Sequence, residues 1–267
     1  MDDEFIPFGE NSPSSGKSES PTLLTAADAP WIRELVDTSE PPFVRLHNEI
    51  LEFCEFVALS NEEMRIRKAI LAEITELITD EYPSAEVSVF GSQMTKILTP
   101  TSDVDIAVLN IEPDKKDVIS TLYGVADLFA KNKVASYLEV ISTAKVPIVK
   151  MDHASSGISV DICVNNSSGI DTGRFIRQHA EEFPPLRPMC IILKIFLAQR
   201  RLNETYSGGV GSFVLSAMVL SFLQQRTRLN VRRESKMTWN LGALLLDFFL
   251  YYSSTLNHHR VGITLQN

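Results

Sequence analysis

Val89-Phe90-Gly91-Ser92, a short polar spacer, and then Ser102-Asp103-Val104-Asp105-Ile106 bring together the residue types that phosphate and metal chemistry needs. Asp103 and Asp105 are one residue apart in an alternating run, so on a strand of period two both carboxylates leave the same face. Carboxylates held that close repel each other unless a cation lies between them, and their hard oxygens suit Mg²⁺ or Mn²⁺. Gly91 and Ser92 end a strand where a following helix would turn its first free N–H groups outward, which is a place for an anion. Asp161, within Gly157-Ile158-Ser159-Val160-Asp161-Ile162-Cys163-Val164, is a third carboxylate in an otherwise apolar alternating run, where a charge asks for a partner.

Other readings of the aspartate pair are open at this level. Two aspartates at a strand start can simply solvate an edge. Phosphatases with an aspartyl nucleophile share the letters, but there the pair ends an apolar strand, whereas here Thr99-Pro100-Thr101-Ser102 precedes it. A calcium loop fails because Val108 stands where that loop needs glycine. The combination of Gly-Ser, the aspartate pair and the later carboxylate is what raises the signal.

The elements that must position these groups follow from period and punctuation. Glu86 to Phe90 alternates as a half-buried strand, Gln93 to Leu98 is a short helix closed by Thr99-Pro100-Thr101, and Asp103 to Leu109 is a second strand. Val146 to Met151 reads as a strand and Asp152 to Gly157 as a turn, so the Asp161 strand closes a hairpin and carries its carboxylate beside the other two. Ahead of the site, Phe43, Leu46, Ile50, Phe53 and Val57 recur at helical spacing, and Ser60 with Glu63 forms a capping box for a helix with Ile66, Ile70, Ile74 and Leu77 on one face, stopped at Tyr82-Pro83. Asp114 to Lys131 is helical and Tyr137 to Ile141 a strand. From Gly169 the strand pattern stops, and Leu186 to Arg200, Ser212 to Gln225 and Asn240 to Tyr252 are long apolar helical stretches. In the loop Tyr206 to Gly211 the glycines permit close backbone approach, and Ser212 would cap the next helix.

With the third carboxylate in place, the chain resembles the polymerase β-like nucleotidyltransferase superfamily, and within it the non-conventional poly(A) polymerases and terminal uridylyltransferases. Ala144-Lys145-Val146-Pro147-Ile148-Val149-Lys150, Asp161-Ile162-Cys163-Val164-Asn165, Leu193-Lys194 and the run Leu202 to Ser212 carry the likeness, the last being most similar to the nuclear branch that adds oligo(A) tails in RNA surveillance. The resemblance implies an α+β fold, a mixed-sheet polymerase β-like nucleotidyltransferase domain with an all-α central (PAP-associated) domain. Residues 61–168 would form the first and 169–267 the second, incomplete at its carboxy end, with the helix in 31–60 crossing back to pack on the helical part.

The resemblance also implies the chemistry: AMP from ATP is added to an RNA 3′ hydroxyl, with pyrophosphate leaving. Asp103 and Asp105 would bind two ions, Mg²⁺ or Mn²⁺, and Asp161 the ion beside the hydroxyl, with Asp161 a candidate acceptor for its proton. Gly91, Ser92 and Lys194 would hold the β- and γ-phosphates. Ser212 would touch the phosphates, and Phe213, where the family usually has tyrosine, would stack on the base. Gly169 and Thr172 match positions beside ribose and base, Thr172 replacing a common asparagine or alanine. An RNA-binding zinc-knuckle subunit and a helicase would be nuclear partners. The family's base-recognition segment has no counterpart after Leu256-Asn257-His258-His259, so a terminal uridylyltransferase and a non-catalytic RNA-binding or scaffold fragment stand as alternatives.

Composition bounds the rest. The 267 residues are 44% hydrophobic, enough for one large or two small cores, and no apolar run reaches the roughly 18 residues of a membrane span. Three cysteines, Cys54, Cys163 and Cys190, without metal-ligand spacing point to a reduced intracellular compartment. The net charge of −9 hides an asymmetry. Residues 1–30 form an acidic, Ser/Pro-rich tail expected to be disordered, whereas Arg187 to Lys236 is basic, suited either to a nucleic-acid backbone or to a solvated loop. His258-His259 reads as surface.

Overall fold

The computed structural model describes residues 29–32, 39–111, 118–231, 239–257 and 260–265. The acidic tail up to residue 28, the first residues of the helix expected from Asp114, the basic residues Arg232, Arg233 and Lys236, and His258-His259 lie outside them. The architecture is α+β: helices α1 (Pro42–Phe56) and α2 (Asn61–Glu81), strand β1 (Glu86–Val89), helix α3 (Gly91–Thr95), β2 (Val104–Leu109), α4 (Val118–Asn132), and β3 (Ala135–Ile141), β4 (Ile148–His153) and β5 (Ser159–Val164), followed by helices only. These are α5 (Ser168–Glu182), α6 (Leu186–Gln199), α7 (Ser212–Val231) and α8 (Leu241–Leu250), with a 3₁₀ turn at Thr205–Ser207 and a π-helical turn at Tyr251–Thr255. Among the described residues no helix is long and apolar enough to cross a membrane.

The strands form one mixed sheet in the order β1-β2-β5-β4-β3, antiparallel throughout except for β2 against β5. One face is a dry core in which Val104, Ile106 and Val108 of β2, Val149 and Met151 of β4, and Val160 and Ile162 of β5 meet Ile70, Ile74 and Ile78 of α2 and Leu122, Val125 and Phe129 of α4. Each such fully buried side chain contributes roughly 1.5–3 kcal/mol, so alternation on the strands decides which face is left for chemistry. Helix α2 starts with the predicted capping box: Ser60 Oγ accepts from the Glu63 N–H and the Glu63 carboxylate accepts from the Ser60 N–H. A second core joins α5 to α8 with Ile50 of α1, so the first helix does cross to the helical half.

Several boundaries differ from the sequence reading. Helix α3 occupies Gly91–Thr95 rather than Gln93 to Leu98, because Gly91 takes φ +55 directly after an extended Phe90 and Lys96, in the left-handed region, stops the helix. Asp103 falls just before the ladder of β2. Strand β4 runs on to His153, since Asp152 still pairs with Ser159 and accepts from its hydroxyl at 2.6 Å, leaving a tighter turn than Asp152 to Gly157. Helix α5 was not anticipated: its buried stripe is Ile170, Gly173, Ile176 and His179, and the glycines that look like breakers are packing positions. A Cβ on Gly169 would come 2.5 Å from the Phe90 ring, and one on Gly173 would come 2.8 Å from Met94 Sδ. Ser212 is the first residue of α7, so Gly211 stands at the cap position expected of Ser212.

Candidate active site

The face of the sheet opposite the α2/α4 core carries a row of charges. Residues directly opposite across strands share a face, and the register aligns Asp105 with Asp161, Asp161 with Lys150, and Lys150 with Glu139. The parallel pairing of β2 with β5 therefore sets two of the three predicted carboxylates side by side, although they are far apart in the chain. Asp103, two positions before Asp105, lines the same cleft.

Asp105 sits deepest. Its Oδ2 lies 2.0 Å from where a Cβ of residue 91 would be, so only glycine allows this contact, and Gly91 adopts φ +55 there. Burial, and then the charges of Asp161 and Asp103, push the Asp105 carboxyl up to about 7, against a hydrogen bond from the Ser92 N–H and the pull of Lys194. Burial likewise raises Asp161, which Lys150 partly offsets and Asp103 reinforces. Two polar atoms around this centre, Ser92 Oγ and Asp161 Oδ1, are buried with no hydrogen-bond partner. Lys150 Nζ, 3.6 Å from Asp161 Oδ1, makes an ion pair beyond hydrogen-bond length.

Two cations frame the loop before β2: Lys194, which the sequence marked, and Arg67, which it did not. Arg67, a buried residue of α2, donates to the carbonyls of Asp103 at 3.4 Å and Pro100 at 3.5 Å, and its guanidinium feels both Asp103 and Asp105. Lys194 of α6 donates to Ser102 Oγ at 2.9 Å. Burial depresses its pKa while Asp105 and Asp103 work the other way, the balance expected of an ammonium kept for an anion. Ser102 in turn accepts from the Thr99 N–H at 3.0 Å, so one hydroxyl ties the loop, the sheet edge and the helical half together.

Gly91, Ser92, Asp103, Asp105, Gly169, Thr172, Lys194, Ser212 and Phe213 all line a single cleft of about 440 Å³ between the sheet and the helices. Asp161, beside Asp105 on the neighbouring strand, is not part of this wall. Phe213 is 48% exposed, so it is not a core residue of its helix. Thr172 Oγ1 donates to the carbonyls of Ser168 and Gly169 in its own helix, and Gly169 is required by Phe90, so both have a packing reason for being where they are. Glu204, which no predicted role covered, also lines the cleft, and its charge reaches Asp161 and Lys150. The basic stretch is not one surface: Arg226 pairs with Asp247, and Arg200 lies 3.8 Å over the Phe196 ring.

Among the described residues no group of three or more His, Cys, Asp and Glu side chains is already gathered to hold a metal ion. The three aspartates are neighbours that have not converged, as repulsion requires while Lys150 engages Asp161. The donor set still fits a hard divalent cation: its oxygens are carboxylate, Asp161 Oδ1 is unpartnered, and Asp105 is destabilised as an anion in the absence of positive charge.

Residues 46–181, about half the chain, match the model of the mitochondrial-like poly(A) RNA polymerase central palm domain. The chain is 33% identical over 267 residues to poly(A) RNA polymerase cid14 of Schizosaccharomyces pombe, covering 98% of this chain and 38% of that protein. It is 32% identical over 234 residues to a Drosophila melanogaster protein named as an inactive poly(A) RNA polymerase, covering 84% of this chain and 55% of the other. Among solved structures, the polymerase core of TRAMP, an RNA surveillance complex, superposes with a TM-score of 0.75 at 32% identity, over 86% of this chain and 71% of that one. The chain thus spans well under two thirds of the length of these curated relatives. A matching palm, a matching sheet and a cleft walled by its aspartates and lysine lead to one assignment: the chain belongs to the poly(A) RNA polymerase family of polymerase β-like nucleotidyltransferases.

Proposed function

We propose that this protein adds AMP from ATP to the 3′ ends of RNA without a template. The observation that carries the reading is the register of Asp105 against Asp161 beside a cleft that also holds Gly91, Ser92 and Lys194. The RNA 3′ oxygen forms a bond to the α-phosphorus, the α–β phosphoanhydride bond breaks, and pyrophosphate departs with its electrons. Asp103, Asp105 and Asp161 would hold two Mg²⁺ or Mn²⁺ ions, which when bound supply positive charge for the entering and leaving oxygens. Asp161, the carboxylate beside the attacking hydroxyl, is the group to take its proton. Ser92 Oγ, buried without a partner, and Lys194 Nζ, with one acceptor and three protons, hold the β- and γ-phosphates. The exposed ring of Phe213 stacks on the base, Ser212 meets the phosphates, and Gly169 and Thr172 border the ribose.

On the same reading the RNA end is supplied by partners, an RNA-binding zinc-knuckle subunit and a helicase, in nuclear RNA surveillance. A second reading has a specific observation behind it: a relative named as inactive is as similar to this chain as others named as polymerases, so similarity of this degree does not by itself guarantee turnover. Labelled RNA incubated with the chain, Mg²⁺ or Mn²⁺, and each nucleoside triphosphate in turn separates the cases. Extension with ATP is the expected result. Extension with UTP alone makes it a uridylyltransferase, and RNA binding without any extension makes it a scaffold.

A further inference from the structure

Lys150 has no part in the scheme above, yet it occupies the next place in the charged row. It lies opposite Asp161 on one side and Glu139 on the other, and its side chain is 37% exposed. Gly91, Ser92 and Lys194 all lie toward the β1/β2 side of Asp161, where the triphosphate would sit. Lys150 lies on the opposite side, over β4, so it borders the space left for the attacking RNA end.

An ammonium in this position is an obstacle to a divalent ion. It is ion-paired with Asp161 Oδ1 at 3.6 Å, and its charge would repel any cation bound a few ångströms away. Its flexible stem and partial exposure allow it to move, and among the described residues the other acidic groups around it are Asp103 and Glu204, which act on it electrostatically, and Glu139, opposite it on the neighbouring strand. An anion arriving with the ion would resolve the conflict, and the RNA strand whose 3′ hydroxyl must lie over Asp161 brings one in its terminal phosphodiester.

We propose that Lys150 is a resident counter-ion of the carboxylate cluster: it neutralises Asp161 before metal binding, yields that oxygen to the incoming divalent cation, and then receives the last phosphodiester of the RNA. The inference rests on the nucleotidyl-transfer reading for the identity of the anion, but its metal arm does not. Metal loading and RNA-end binding then become coupled through one side chain, each favouring the other.

The test uses the full chain and two ligands, Mn²⁺ by calorimetry and a short fluorescein-labelled oligo(A) by anisotropy. Lys150→Met should bind Mn²⁺ more tightly, by roughly three- to tenfold, because a repelling charge and a competitor are removed together. The same variant should bind oligo(A) more weakly, with a log–log salt dependence shallower by about 0.7, the value of one single-strand phosphate contact. Lys150→Gln should behave like Lys150→Met, which guards against a folding defect in one of them, and Lys150→Arg should retain RNA binding. Weaker Mn²⁺ binding in Lys150→Met would mean that the lysine merely props Asp161 in place, and unchanged Mn²⁺ affinity or an unchanged salt slope would equally overturn the proposal. A parent chain that binds Mn²⁺ with these responses yet extends no RNA refutes the polymerase reading and leaves the metal arm standing.

Discussion

Lys194 of the helical half donates to the hydroxyl of Ser102, at 2.9 Å, one residue before the first site aspartate. The cation assigned to the triphosphate under the proposed function is thus held by a neutral acceptor, although Asp103 and Asp105 act on it electrostatically. A hydroxyl can release an ammonium to a phosphate at far smaller cost than a carboxylate can.

Replacing Lys194 by Met should therefore weaken ATP binding more than it alters the fold. A hydrogen bond to a charged group contributes about 1.5–3 kcal/mol, which is roughly 10- to 100-fold in affinity. Titration of nucleotide against parent and variant, with thermal unfolding as the control, checks this; equal affinities would remove Lys194 from the triphosphate site.

Asp103→Ala and Asp161→Ala should abolish extension while leaving the melting temperature of the metal-free chain unchanged or slightly raised. Each removes a member of a repelling set in which Asp105 is already strained by burial and by its neighbours. Primer-extension gels beside calorimetric scans suffice. Parental rates in either variant would overturn the metal assignment.

Phe213 is 48% exposed in the cleft wall, so its loss should cost little stability, within roughly 1 kcal/mol. Stacking on a base is worth roughly 1–3 kcal/mol, so Phe213→Ala should bind ATP about five- to a hundredfold more weakly while Phe213→Tyr stays close to parent. The discriminating measurement is the stabilisation that ATP produces in each variant. An alanine variant with an undiminished ATP response would show that the ring does not stack.

The pH dependence has a definite sign. Asp105 ionises near 3.8 when unfolded but is held up to about 7 in the fold, so between these values the folded chain keeps a proton that the unfolded chain has lost. The metal-free chain should consequently lose stability as the pH rises from about 4 to about 7 and level off above. Metal binding requires that proton to leave, so apparent Mn²⁺ affinity should climb over the same interval. Unfolding scans with and without Mn²⁺ across the range, repeated on Asp105→Asn, test both limbs: a slope that survives in Asp105→Asn would assign it to another group.

The parts of this site that were legible in the sequence are those set by local rules. The capping box of Ser60 and Glu63 acts over three residues, and alternation along β2 and β5 fixed the sheet face of Asp105 and Asp161. Helix α5 was not legible because Gly169 and Gly173 look like breakers until the Phe90 ring and Met94 are seen against them. Arg67 and Lys150 were hidden for a related reason: one reads as an exposed helix charge and the other as a strand charge. Only the packing of α2 on the loop before β2, and the register of β4 against β5, turn them toward the carboxylates.

The strand order has a consequence for how the protein reaches this state. β1 pairs with β2, and β3, β4 and β5 form an antiparallel meander, both from neighbouring segments of chain; the parallel contact of β2 with β5 is the one seam that joins the two. Local pairings form before distant ones, and this seam is where Asp105 meets Asp161. Two half-sheets must therefore close across one pair of like charges set among apolar partners, so refolding monitored by stopped flow should slow at low ionic strength and quicken with Mg²⁺; a rate indifferent to both would show that this closure does not limit folding. An ion bound by these aspartates would then also act as the clasp under which the sheet is assembled.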